Sequence, residues 1–253
     1  MCTFVILRRP DHEWPVLIAA NRDEMIERPW QPPGRHWPDR PDVVAGRDEL
    51  AGGSWLGIND FGLAAGILNR HGSLGPAPGQ RSRGELVLEA LDHADAREAA
   101  DALAKLEPAA YRTFNLIIAD DRDAFWLRHA DPTGTLPINA TALKPGLSMI
   151  AAGDLDDGET PRLRRYRPLF ESAEPPDPSR GDWQSWEKLL LDATVDPGEA
   201  PQAAMRFDTG RGFATVSSAL IALPSADRHG AKPVFRFAAH QPETTPWRDV
   251  MLG

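Results

Sequence analysis

The one cysteine among 253 residues stands at position 2, where chance would put it in about one placement in 250. Once Met1 is removed, Cys2 carries a thiol and a free α-amine, whose ordinary pKa values are about 8.5 and about 7.7 to 8.0. An amine on the same residue can take the thiol proton, so Cys2 can be nucleophile and base together. The plainer alternative is an inert terminal thiol.

The tetrapeptide Asn21-Arg22-Asp23-Glu24 follows the apolar run of residues 16–20, so four polar groups emerge where a strand ends. Asp23 can orient the Cys2 amine, and Arg22 can grip a carboxylate in two-pronged geometry; Asn21 and Glu24 are candidate substrate contacts beside them. Asn69 ends a second apolar run, residues 63–68. Its amide can donate to the oxyanion of a tetrahedral intermediate, a role whose loss costs on the order of 100- to 1000-fold in rate. His71 follows two residues later, and Trp55, with Trp30 and Trp37, can line an apolar or planar ligand pocket. Taken singly, each has a plainer reading as a solvated turn, a turn Asn, a loop His or a core anchor.

The elements that must position these groups are legible in outline. Residues 3–7 and 15–19 are β-rich runs flanking a Pro10-Asp11 turn, which predicts a hairpin at the head of the chain. Residues 27–45 lack periodicity and predict a long surface loop. Strands are expected at 54–58 and 62–68 with Asn59-Asp60 at their turn, then at 113–119, 124–127, 147–151, 213–223 and 234–238. Ser82 to Glu85 has capping-box spacing ahead of a helical apolar stripe, and Asp95 precedes Glu98 by three where the apolar face continues, which fits a break or a second helix before Pro108. Residues 161–170 predict a helix that Pro168 should end or kink, and 183–193 another, with Trp183 and Trp186 as core anchors. Arg162, Arg164, Arg165 and Arg167 make the 161–170 helix basic, able to receive an acidic substrate or membrane surface, with an ordinary solvated face as the plainer reading. Runs of strands and runs of helices that do not alternate one for one fit stacked antiparallel sheets covered by helices.

The length suits one domain spanning 1–253, and 42% hydrophobic residues with eight Trp provide material for a large core. A net charge of -9 argues against nucleic acid and for a small-molecule partner. No apolar stretch reaches bilayer length and no signal peptide stands at the start, so a cytoplasmic protein with no transmembrane segment is expected. The seven His form no ligand pair at metal spacing, and neither a phosphate loop nor a dinucleotide fingerprint is found, so no metal and no cofactor are expected.

Met1-Cys2, the tetrapeptide 21–24, and Gly53-Ser-Trp-Leu-Gly57 ahead of Asn69 together resemble the NRDE-motif family, also called Transport and Golgi organisation 2. The match is dense over residues 1–72; residues 146–154 with 160–165 resemble a bacterial branch, and 213–221 its late strand. A more distant similarity joins Cys2, Asn21-x-Asp23 and residues 57–69 to the choloylglycine hydrolase and penicillin V acylase group of amino-terminal nucleophile (Ntn) enzymes, as nucleophile, supporting Asp and oxyanion Asn. The resemblance implies an α+β, four-layer αββα Ntn-hydrolase-like sandwich with mainly antiparallel sheets. It implies a hydrolase or acyl-transferase acting on a nonpeptide amide C–N bond or a thioester, through Cys2, Arg22, Asp23 and Asn69. The chain departs from the distant group at Ala20, Met149 and Val216, where that group places Arg, Asn and Arg that orient substrate. The NRDE resemblance also implies the handling of haem or acyl lipids, hence the alternative of a non-catalytic carrier, or of a trafficking factor.

Overall fold

A computed structural model describes residues 2–241 and 243–252. The strands are β1 (Thr3–Arg8), β2 (Val16–Met25), β3 (Trp30–Gly34), β4 (Val43–Asp48), β5 (Leu56–Asn59) and β6 (Ala64–Asn69). After helices α1 (Gly84–Leu91) and α2 (Ala96–Leu103) come β7 (Phe114–Ala119), β8 (Ala124–His129), β9 (Asn139–Ala142) and β10 (Gly146–Ile150). Helices α3 (Pro161–Ser172) and α4 (Gln184–Leu190) precede β11 (Phe213–Leu223), β12 (Val234–Ala239) and β13 (Arg248–Asp249). The chain divides into two compact units, residues 1–27 with 145–250 and residues 28–144 with 251–253.

The first unit is a six-stranded sheet in the order β10-β1-β2-β11-β12-β13, antiparallel at every pairing. The expected hairpin of β1 and β2 therefore sits in the interior of the sheet. Alternation sends every second residue to one face, and Val5, Leu17, Ala19, Leu220 and Ala222 there meet Leu163, Tyr166 and Phe170 of α3 and Trp186 and Leu190 of α4. Trp183 and Trp186 are the expected core anchors, the latter edge-on to Phe170 at 5.4 Å.

The second unit is a seven-stranded antiparallel sheet, β3 through β9 in sequence order. Its Val43, Ala45, Leu63, Ala65, Leu116 and Leu127 pack against Leu86, Val87, Leu91 and Leu103 of α1 and α2. Of the break or second helix expected after Asp95, the helix forms, and Asp95 caps it by accepting from the backbone N–H of Arg97 and Glu98. Asn59 holds the β5–β6 turn: Oδ1 accepts from the N–H of Phe61 and Leu63, and Nδ2 donates to the carbonyls of Leu91 and His93. At Gly53 an added Cβ would lie 2.4 Å from the Gly84 backbone, so only glycine lets the start of α1 rest on the lead into β5.

Several expectations are corrected. Residues 27–45 are not one loop, because Val43 to Ala45 are buried and begin β4, while β3 tolerates Pro32 and Pro33 as an edge strand. The capping box at Ser82 does not form. Arg83 is the N-cap, Ser82 Oγ accepts from Gly84, and Glu85 turns to Tyr111 and Arg81. Pro168 does not end α3, which continues to Ser172; both Pro168 and Arg164, whose carbonyl loses a donor, lie exposed, so water can replace the missing bond.

Candidate active site

Cys2 directly precedes β1, whose Thr3 pairs with Asn21 of β2, so the thiol begins beside the strand end that carries the tetrapeptide. Cys2 is half-buried, and its Sγ donates to the backbone carbonyl of Asp23 at 3.6 Å. Burial first and the Asp23 charge second push the thiol above its ordinary range. A thiol so placed needs a base close at hand to ionise near neutrality. Met1, whose removal would free that base, lies outside the described residues.

Strand alternation divides the tetrapeptide between two faces. Asn21 and Asp23 continue the helix-side row of Leu17 and Ala19, and their side-chain partners lie on or beyond α4 and α3. Arg22 and Glu24 point the other way, with an N–O separation of 3.8 Å. Thr3 belongs to the helix side, since it meets Arg162 of α3; the same alternation assigns Cys2 to the face of Arg22.

The Asp23 carboxylate lies between two partners that the sequence reading did not anticipate. Arg162 Nη1 donates to Oδ2 at 2.8 Å, with both side chains wholly enclosed. Thr215 Oγ1 donates to Oδ1 at 2.8 Å. Of the four arginines expected on a solvated face, only Arg164, Arg165 and Arg167 make surface pairs, with Glu199, Asp196, and Asp156 and Glu171. Arg162 is buried. The available signal was its position four residues before Tyr166 and eight before Phe170, on the apolar stripe of α3.

Asn21, expected to touch substrate, is buried. Nδ2 donates to the carbonyls of Leu190 and Met205 at 2.9 and 2.8 Å, and Oδ1 accepts from Ser218 Oγ at 2.6 Å. Because Ser218 spends its proton on Asn21, it accepts from His240 Nε2 at 2.7 Å, which fixes the His240 tautomer. Burial, then the nearby Arg206 charge, press this imidazole down to about 4. Ser218 and His240 thus carry their protons the wrong way round for a nucleophile and base.

The remaining candidates belong to the second unit. Asn69 is the half-buried last residue of β6, paired with Phe114 of β7. Trp55 lies across Gly46, where a Cβ would come within 2.3 Å of the indole, and edge-on to Trp30 at 5.8 Å. Trp37 packs against the helix-side core and donates to the Gly52 carbonyl. His71 is exposed. Among the described residues, no cluster of three or more His, Cys, Asp or Glu could hold a metal ion, and no helix is long and apolar enough to cross a membrane.

Residues 1–192 match the family described as Transport and Golgi organisation 2. The chain belongs to that family. No curated protein sequence matches it. Among solved structures, this member of the family is similar to a Caenorhabditis elegans N-acylethanolamine-hydrolyzing acid amidase ortholog, at TM-score 0.58 and 14% identity, over 92% of this chain and 98% of the other. It is similar to the C2A mutant of the conjugated bile acid hydrolase from Clostridium perfringens, at TM-score 0.54 and 12% identity, over 99% and 92%. Penicillin V acylase from Agrobacterium tumefaciens follows at TM-score 0.52 and 16% identity, over 99% and 86%. The fold class is therefore the α+β sandwich of the Ntn hydrolases, with antiparallel sheets, as expected. At these identities the likeness is one of fold.

Proposed function

We propose that this chain is an Ntn cysteine hydrolase or acyl-transferase that cleaves a nonpeptide amide C–N bond, or a thioester, of a small acyl substrate. The observation that carries the reading is the seat of Cys2 at the head of an interior strand, with its thiol against the Asp23 carbonyl. After loss of Met1, the Cys2 amine takes the thiol proton while sulfur attacks the substrate carbonyl. The same proton passes to the leaving amine as the C–N bond breaks, and water or an acceptor nucleophile then displaces the acyl group from sulfur. Arg22, on the thiol's face, is assigned a substrate carboxylate. Asp23 is assigned the positioning of the terminus, and Glu24 a contact with substrate. The name of the nematode neighbour records acyl-amide hydrolysis, which suits this assignment.

The raised thiol favours a second reading, a carrier of acyl lipid or haem that keeps the fold without turnover. Intact mass of the purified protein before and after a β-lactam or acyl-amide probe separates the two. Loss of Met1 with an adduct on Cys2 supports the enzyme; an untouched thiol with binding of haem or acyl-coenzyme A supports the carrier.

A further inference from the structure

We propose that Arg162 is a positioning residue for Cys2, clamping the head of β1 to the end of β2 and balancing the Asp23 charge beneath the thiol. The inference rests on the proposed nucleophile role. Nη1 of this one guanidinium is shared between Thr3 Oγ1 at 2.6 Å and Asp23 Oδ2 at 2.8 Å. Thr3 is the residue after Cys2, and Asp23 supplies the carbonyl that receives the thiol. The Arg162 group thus holds the neighbour of the nucleophile and the residue it leans on through a single nitrogen.

Arg162 is itself held from behind. Its Nε donates to the Gln202 carbonyl at 3.0 Å, and its guanidinium carbon lies 5.4 Å from the centre of the Phe207 ring. Asp23 has a second anchor in Thr215, whose hydroxyl also reaches the Met205 carbonyl. Segments from β1, β2, α3 and the approach to β11 therefore meet on one ion pair, within one unit of the chain.

Stability alone is a poor reason for this arrangement, because an enclosed ion pair loses hydration on both partners and well-packed apolar residues of the same volume usually do as well. What an apolar cluster cannot do is hold two strand ends by directional bonds and offset a negative charge lying near a thiol. Burial first, that charge second and the Glu24 charge after it oppose thiolate formation.

Cys2 is the only cysteine, so alkylation by iodoacetamide reports on it alone and requires no turnover. Arg162→Gln is expected to raise the pH midpoint of alkylation by about one unit, and Arg162→Gln with Asp23→Asn to bring it back. Arg162→Lys, which keeps the charge, should stay within about half a unit of the parent while lowering kcat with little change in KM. An unmoved midpoint in folded Arg162→Gln overturns the proposal. If that variant does not fold, Asp23→Asn and Thr3→Val decide: the former should lower the midpoint, the latter should lower kcat, and no effect from either overturns it. An inert protein with shifted midpoints sinks the enzyme reading and leaves the clamp; an active one with unshifted midpoints does the reverse.

Discussion

The Asp23 backbone carbonyl receives the Cys2 thiol at 3.6 Å, while the Asp23 carboxylate lies on the opposite, helix-covered face of the sheet, paired with Arg162. One residue thus touches Cys2 through its backbone and secures the strand beneath it through its side chain. Asp23→Asn leaves a buried guanidinium without its counter-charge, which costs about 3–5 kcal/mol. Urea unfolding should show that loss. A variant as stable as the parent would mean that the pair is not buried in solution.

Cys2→Ala should abolish turnover of an acyl-amide, and Cys2→Ser should leave at most a trace, because a hydroxyl is far harder to ionise than a thiol. A chain that keeps Met1 has no free amine at Cys2 and should be equally inactive. Full activity in Cys2→Ala, or in protein whose mass includes Met1, would remove the enzyme reading.

Asn21 ties β2 to α4 and to the Met205 segment and orients the Ser218–His240 pair. Asn21→Leu strands two carbonyls and a hydroxyl, at roughly 1–3 kcal/mol for each group left without a partner. Melting temperature should fall sharply, and KM measured on the folded fraction should not change. A raised KM with unchanged stability would return Asn21 to the substrate.

His240 is neutral in the fold and ionises only near pH 4, against 6.5 when unfolded. The unfolded chain therefore binds more protons between those limits, so stability rises with pH through the window and is lost as pH falls from about 6.5 to about 4, by about 3 kcal/mol. His240→Gln should flatten this part of the stability curve. Urea midpoints at pH 7 and pH 4.5, compared between the two proteins, provide the check; equal slopes would show that His240 is not the titrating group.

Much of this protein was determined by local pattern. The lone Cys2, the polar run after 16–20, and the continuous apolar runs of residues 3–7, 15–19 and 213–223 all depend on neighbours a few positions apart, and burial on both faces makes these runs interior strands. The resemblance to the family and to the Ntn fold was carried by Met1-Cys2, residues 21–24 and residues 53–69. Strands β3 and β9 were not legible, because edge strands with prolines or wholly exposed residues carry no burial signal. Tertiary structure alone decided which of these polar groups are buried and what they meet. Asn21 and Asp23 were drawn to the helix side by partners 169 and 139 residues away, and Arg162 was taken out of solvent to meet them. The reason is physical: a buried donor or charge is tolerated only where another segment supplies its partner, and no local window contains that segment.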